Sequence, residues 1–579
     1  METKKLPIGV SDFKEMITGG YYYVDKTLFI KEIMDKGDKI LLIPRPRRFG
    51  KTLNLSMLKY FYDCCPETRS PGSGGRGTST PGNSYKKLFD SLAIRKAGKQ
   101  YLDKIGKYPV IFLSFRTIKE LDWETTYRKI KKLIRKEYSR HYYLVKSKKL
   151  MPYEQDYFQK LMDLKGDKED YENSLENLLV FLNRFYHERV VILIDEYDAP
   201  MHAGFNYGYY EEIVNFIRNF LGGGLKDTDQ YLEKSIITGI MRIAKESIFS
   251  GLNNLGVYTL LSEEFDEQFG FTEKEVEVLL EDFQLFDRYD EVQHWYNGYR
   301  FGNRVIYNPW SMVNFLGSKA KQCKPYWINT SDNQVVESLL SKGGKELKEE
   351  LEQLIRGEVI EKAIDENIIL KQVTTREDLL WSFLLMGGYL RQTPKRRDQV
   401  SGKMYHTLLI PNTEVKTIYV QIIEHYFASK IETNQLEIML KSLLEGDIGI
   451  FAEIFSDYVM KSMSFFDMAA DAEKVYHAFV MGLLLWLSPD YEIKSNRESG
   501  YGRYDIMIIP QDTSKLGFII EFKKTRKKET LESAAVSALN QIEERKYETE
   551  LVQRGIKQYK KLALVFSGKD VYVKEREDG

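Results

Sequence analysis

The chain has 579 residues, 43% of them apolar and 13% aromatic, which is enough to bury several cores and excludes a disordered or fibrous polymer. Lys plus Arg and Asp plus Glu both number 85, so overall charge gives no pull toward nucleic acid, and any such contact must come from local segregation of charge. Three cysteines (Cys64, Cys65, Cys323) cannot build a disulfide framework, and the seven histidines form no HExxH or paired cluster; this argues against a secreted scaffold and a structural zinc site.

The N-terminus, METKKLPIGVSDF, lacks the apolar core of a signal peptide. The longest apolar run, Ala478 to Leu487, is about half a membrane span. The expectation is a reduced, cytoplasmic protein with no membrane partner.

The first informative stretch is KILLIPRPRRFGKT, residues 39–52. Its apolar run Ile40–Ile43 predicts a buried strand, followed by a turn ending in Gly50-Lys51-Thr52 and then by the helical LNLSMLKYFYD. Strand, loop, Gly-Lys-Thr and helix is how a phosphate loop is built. Arg48, Phe49 and Gly50 would form the cradle, Lys51 would reach the outer phosphates, and Thr52 would hold Mg²⁺. Arg45 stands where the usual pattern has a glycine, so a basic turn carrying GKT by chance is the competing reading. Residues 70–84, SPGSGGRGTSTPGNS, contain no apolar anchor and predict a flexible insertion.

Further strand-like runs follow at 109–115 (PVIFLSF), 190–194 (VVILI) and 235–240 (SIITGI), with amphipathic helical segments between them, for example 124–139 and 174–186. Continuous rather than alternating apolar runs suit strands buried on both faces of a parallel sheet. A three-layer α/β domain over 1–265 is therefore expected. Asp195 and Glu196 end the third run, where a phosphate loop needs them. Asp195 would take Mg²⁺, and Glu196 would polarise the attacking water. Thr238 tips the next run as a sensor of the outer phosphate, and Arg242 with Lys245 lies just beyond, where cations can neutralise charge in the transition state. A surface basic pair is the bland alternative for those two.

Residues 266–465 are mostly helical in pattern, as in EKEVEVLLEDF and NQLEIMLKSLLEG, and predict a helical middle region. From 466 to 579 the pattern changes again: a helix at 471–487, strands YDIMIIP (504–510) and GFIIEFK (517–523), a long helix at 530–554, and a strand at 561–568. Glu521 and Lys523 lie two apart on a strand, so period two puts both on one sheet face. If the neighbouring strands pair, Asp505 joins them. Two carboxylates could then hold Mg²⁺ while Lys523 orients or deprotonates water. The alternative is an edge strand with a surface Glu and Lys. Glu498 and Arg503 beside the Gly-rich turn and the basic run 523–528 are candidates for contacts with a phosphate backbone, and Gln541, with Tyr547 on the following helix, for a phosphate or base contact; polar surface residues and a solvated strand end are the bland alternatives.

Taken together, LPIGVSDFKEMITGGYYYVDKTLFIKEIM, RPRRFGKT, IDEYDAP, TGIMRIAKESIFSGLNN, WYNGYRFG, YNPWS, MGGYL, IPNTEV and SNRESGYGRYDIMIIP resemble the bacterial AAA-ATPase-like family coupled to a C-terminal domain of the PD-(D/E)XK nuclease superfamily. The resemblance covers nearly the whole chain apart from 70–84. It implies an N-terminal P-loop ATPase domain and a C-terminal restriction-endonuclease-like α/β domain. It also implies that the missing first glycine is a family trait, that Tyr23, Asp25 and Lys26 lie near the nucleotide, and that Glu473 adds an acidic metal ligand. ATP and Mg²⁺ as cofactors, nucleic acid (DNA first) as partner, and ATP-gated cleavage are the expectations. A homo-oligomer stays open, as does a regulatory or scaffold ATPase whose nuclease-like domain binds without cutting.

Overall fold

A computed structural model of the chain describes residues 5–64, 85–147, 149–226, 228–243, 255–327, 345–355, 357–368, 370–373, 376–397, 404–419, 433–462, 480, 484, 487, 490–495, 498–499, 502–525, 529–567 and 570–576. The predicted insertion 70–84, Lys245, Glu473 and Arg526–Lys528 lie outside them. The chain divides into two compact units, one of Met1–Val335 with Glu361–Val415, the other of Val336–Ile360 with Lys416–Gly579.

The first unit is built on a parallel five-stranded sheet. In chain order its strands are β1 (Ile40–Pro44), β2 (Val110–Ser114), β3 (Val190–Asp195), β4 (Leu232–Gly239) and β5 (Leu255–Val257). Their spatial order is β2-β3-β4-β1-β5, all neighbours parallel. Every residue of β1 and β3 is buried, the outcome expected of apolar runs without alternation. The order sets β4 between the strand that enters the GKT loop and the strand that ends in Asp195. A polar residue at the tip of β4 can therefore reach both. Helix α1 (Lys51–Tyr62) packs on β2 and β3, α2 (Trp123–Arg140) on β2, and α3 (Ser174–Tyr186) on β3. Asp122 caps α2 by accepting from Thr125 N at 2.7 Å.

The second unit carries a mixed five-stranded sheet of β6 (Tyr491–Ser495), β7 (Ile506–Pro510), β8 (Gly517–Lys524), β9 (Tyr559–Ser567) and β10 (Asp570–Glu575), in that spatial order. Only β8 and β9 are parallel. One face, with Ile506, Ile508, Phe518, Ile520 and Phe522, packs in one core with residues of α4 (Thr433–Glu445) and α5 (Ile448–Ser462) such as Leu443, Phe451 and Phe455. The other face, with Met507, Ile519, Ala563 and Val565, packs against Ala535, Ala538 and Ile542 of α6 (Leu531–Arg545).

Three expectations need revision. Helices α4 and α5, grouped by pattern with the middle region 266–465, pack on the C-terminal sheet, because their apolar stripes have that face to cover. The helix expected over 530–554 is two: Lys546 takes a left-handed φ of 53° and ends α6, and a second helix runs from Thr549 to Gln553. The helix expected at 471–487 falls mostly outside the described residues; Val480, Leu484 and Leu487 from it are buried in the core under β7–β9.

Candidate functional sites

The first site forms at the C-terminal edge of the parallel sheet, where β1, β3 and β4 end together. Gly50 has φ 85°, a left-handed conformation that L side chains rarely adopt, and the space where its Cβ would stand is open. The α1 helix begins at the next residue, so its first N–H groups face the loop. Lys51 is 4% exposed, and its Nζ donates to the carbonyls of Arg45 and Pro46, both at 2.8 Å. Burial lowers its pKa, while Glu196, Asp198 and Asp195 oppose that shift. A buried ammonium held by loop carbonyls can exchange them for phosphate oxygens, which are stronger acceptors.

Asp195 is fully buried and accepts from three hydroxyls: Thr52 at 2.9 Å, Ser114 at 3.2 Å and Thr238 at 3.0 Å. These come from α1 and the ends of β2 and β4, so one carboxylate ties the helix start to both strand tips. Glu196 follows at a positive φ of 51°, and burial raises its carboxyl pKa, with Lys51 opposing. A carboxylate so perturbed beside a lysine suits a general base. Glu196 lines a cleft of about 300 Å³ shared with Gly50, Lys51, Thr52, Arg116 and Trp310. Asp198 accepts from Ile240 N at 2.7 Å and Met241 N at 3.2 Å, and the Tyr197 hydroxyl donates to Met241 O, so the turn after β4 is clamped to the Asp195–Asp198 segment.

Arg45 explains the departure from the usual loop pattern. Its guanidinium is fully buried and donates to Pro44 O at 2.8 Å, Tyr258 O at 2.7 Å and Phe265 O at 3.2 Å. It lies 5.3 Å from the ring centroids of Phe269 and Phe301. Burial pushes its pKa down to about 9, Asp266 opposing. The side chain does not line the cleft; it anchors the loop from the core side.

Four motifs to which no role could be given from sequence converge on the same loop. Tyr299 and Phe301 pack on Phe49, with ring centroids 4.9 and 5.1 Å away. A Cβ on Gly388, at φ 86°, would come within 2.9 Å of Pro46. Trp327 Nε1 donates to Arg47 O at 3.3 Å, and the Arg48 guanidinium sits 4.1 Å above the Trp310 ring. Glu414 joins these pieces: buried, it accepts from Ser311 Oγ at 2.8 and 2.9 Å and from Trp327 N at 2.8 Å.

Not every expected residue comes together. Arg242 lies on a two-residue strand paired with Asn367–Ile368 and does not line the cleft. Tyr23 and Lys26 line it, Lys26 being ion-paired to Glu275 at 2.6 Å, whereas Asp25 accepts from Thr27 N and Ala93 N away from it. Sequence reasoning missed Arg47, Ser114, Arg116, Lys119 and Trp310. For Ser114 and Arg116 a signal existed, since both follow an apolar run that must end at the same sheet edge as β1 and β3.

The second site lies on the α6-facing side of β8. Glu521 is 3% exposed, and Lys523 stands beside it on the same face. Asp505, just before β7, accepts from Phe522 N at 2.8 Å, which fixes it against the strand that carries the pair. Gln541 of α6 bridges them: its Nε2 donates to Glu521 Oε1, and its Oε1 accepts from Lys523 Nζ at 2.7 Å. The left-handed turn at Lys546 brings Tyr547 back, so that its hydroxyl accepts from Gln541 Nε2 at 3.3 Å. Glu498 and Arg503 pair as backbone partners in a two-stranded ribbon upstream. Among the described residues no group of three or more His, Cys, Asp or Glu forms a metal cluster. Two carboxylates still suit Mg²⁺, which keeps several waters and needs few protein oxygens.

Residues 7–249 match the family model of a predicted AAA-ATPase, and residues 471–576 match that of the PD-(D/E)XK nuclease superfamily. The chain is similar to an uncharacterized protein in the vnfD 5′ region of Azotobacter chroococcum mcd 1, 27% identical over 419 residues that cover 72% of this chain and 69% of that one. No solved structure matches it. The chain thus joins an AAA-ATPase-like domain to a PD-(D/E)XK nuclease superfamily domain.

Proposed function

We propose that the N-terminal cleft binds and hydrolyses ATP with Mg²⁺, that the C-terminal centre cleaves nucleic-acid phosphodiesters with Mg²⁺, and that nucleotide state controls cleavage. The observation that carries the first part is Asp195, tied to Thr52, Ser114 and Thr238 beside the buried Lys51. The open space at Gly50 and the loop carbonyls on Lys51 Nζ fit phosphate oxygens. Thr52 and Asp195 would hold the metal, which when bound neutralises phosphate charge. Lys51 and the α1 N–H groups bind the outer phosphates, Thr238 senses them through Asp195, and Glu196 takes the proton of the attacking water.

The second part rests on Asp505, Glu521 and Lys523 meeting on one sheet face, with Gln541 holding two of them. Asp505 and Glu521 would hold Mg²⁺, which when bound polarises the scissile phosphate. Lys523 orients the water and takes its proton, while Gln541 keeps Lys523 and Glu521 apart from direct pairing. DNA is the first substrate to test, and RNA the second. Control by nucleotide is supported by the placement of both centres on one chain. The phosphate-loop network also ends at Glu414, two residues before Lys416 where the second unit takes over in sequence. The test is cleavage of single- and double-stranded DNA and RNA by purified protein with no nucleotide, ATP or ADP. Metal-dependent cleavage that changes between ATP and ADP supports the reading. ATP turnover without cleavage of any form would leave a nucleotide-dependent binding protein instead.

A further inference from the structure

The cleft is unbalanced in charge. Around Lys51 and Thr52 its lining carries Arg47, Arg48, Arg116 and Lys119 but, of carboxylates, only Glu196; Asp195 lies buried behind Thr52. Arg48 is engaged with Trp310. Arg116 makes no hydrogen bond or ion pair with any described residue, although an aspartate-rich segment lies on the adjacent strand end.

Its placement is not casual. Strand β2 ends at Ser114, whose register partner is Asp195, and Phe115 N donates to Asp195 O at 2.9 Å. The chain then turns, with Ile118 N donating to Phe115 O at 2.9 Å and both Phe115 and Ile118 buried. Arg116 is therefore exposed on a turn fixed at both sides, one residue past the backbone bond to Asp195. It faces the same cleft as Glu196, which stands one residue past the end of β3. An exposed arginine on a rigid turn, lining this cleft and without a hydrogen-bond or ion-pair partner among the described residues, is preorganised for an anion.

We propose that Arg116 supplies, from within the same chain, the cation that stabilises the outer phosphate during hydrolysis, so that the N-terminal site needs no residue from a second copy. This rests on the ATPase reading above. Water oxygen bonds to the γ-phosphorus as the bond to the β,γ-bridging oxygen breaks. The water proton passes to Glu196, the electron pair of the broken bond goes to the ADP oxygen, and Arg116 pairs with the equatorial oxygens as charge spreads over them.

The experiment measures Mg·ATP turnover and affinity for a non-hydrolysable ATP analogue in the full chain and in Arg116→Ala, Arg116→Lys and Lys51→Ala. Expected for Arg116→Ala is a turnover loss of about 100-fold with analogue affinity within about threefold, and partial recovery in Arg116→Lys. Equal mixtures of Arg116→Ala and Lys51→Ala then show no recovery, because each chain lacks one half of its own site. Recovery of turnover in the mixture would move the arginine to a neighbouring copy and overturn the proposal, as would wild-type turnover in Arg116→Ala. If the wild-type chain itself does not hydrolyse ATP above the level of Lys51→Ala, the ATPase reading fails and the assignment of Arg116 falls with it. If the wild type turns over and only Lys51→Ala is dead, the Arg116 assignment alone is lost.

Discussion

Both centres combine a lysine with carboxylates, yet they are assembled in opposite ways. The N-terminal one draws Lys51 and Thr52 from the start of α1 and Ser114, Asp195 and Thr238 from the ends of three strands, spread over nearly 200 residues, and gathers the three hydroxyls on a single buried aspartate. The C-terminal one takes Asp505, Glu521 and Lys523 from two adjacent strands and adds Gln541 from the helix that follows. The first depends on the order of a parallel sheet, the second on strand period and one crossover. The difference teaches which centre tolerates change: loss of one strand tip loosens the first, whereas the second hangs on the bridge made by Gln541.

The largest expected effects come from crossing the two lysines. Lys51→Ala should lower ATP turnover by at least about 10³-fold and leave the metal-dependent cleavage centre intact, though no longer responsive to ATP. Lys523→Ala or Asp505→Ala should lower cleavage by a similar factor at unchanged ATP turnover. Paired ATPase and cleavage assays on all three variants check this. Cleavage retained in Lys523→Ala would show that the chemistry lies elsewhere on the chain.

Next comes Gln541, the side chain that distinguishes the C-terminal arrangement from a chance Glu and Lys. Gln541→Ala frees Lys523 to pair directly with Glu521, which neutralises the group needed to handle water. Cleavage should fall by about 30-fold while melting temperature stays within a few degrees, since the change is a truncation at the site rather than in the apolar core. An unaltered cleavage rate would demote Gln541 to a surface contact.

How far these two centres were legible in sequence follows from the same contrast. Glu521 and Lys523 were placed on one face by period two alone, and the buried strands β1, β2, β3 and β4 by apolar runs, because both signals are local. Asp195 could be matched to Lys51 and Thr52 because strand ends of a parallel sheet share an edge. What stayed hidden was set by long-range packing. The inward turn of Arg45, the convergence of Tyr299, Trp310, Trp327, Gly388 and Glu414 behind the loop, and the docking of α4 and α5 on the C-terminal sheet have no periodic signature. The break at Lys546 was also hidden, since nothing in its residue type demands a left-handed turn; yet that turn is what returns Tyr547 to the site.

Arg45 sharpens the comparison from the stability side. The N-terminal centre is held by a buried guanidinium, while the C-terminal centre has no counterpart among the described residues. Arg45→Ala removes donors from the carbonyls of Pro44, Tyr258 and Phe265 and leaves a cavity between Phe269 and Phe301. A cost of roughly 4 kcal/mol is expected, confined to the N-terminal unit. Thermal unfolding followed together with both activities checks it: the ATPase transition should move down while the cleavage transition holds. A loss confined to nucleotide affinity, with no change in melting, would instead place Arg45 in contact with phosphate.

The smallest expected effect concerns the carboxyl group behind the Gly50-Lys51-Thr52 loop. Burial raises the pKa of Glu414 from the usual 4.5 to about 7, against the opposing bonds from Trp327 N and Ser311 Oγ. In the unfolded chain the same group ionises near its ordinary value. Between those two pH values the folded state keeps a proton that the unfolded state has lost, so raising pH favours unfolding. The stabilising contribution is therefore full below about 4.5, declines through the interval and is gone above about 7. Its size is on the order of 3 kcal/mol, from about 1.4 kcal/mol per pKa unit. Glu414→Gln preserves the shape and an acceptor for both donors but carries no titrating proton. Relative to this variant, the melting temperature of the wild-type N-terminal unit should fall between pH 5 and pH 8. Parallel curves would mean that Glu414 is ionised throughout, held so by Ser311 and Trp327, and that the network behind the Gly50-Lys51-Thr52 loop carries a fixed charge rather than a titrating one.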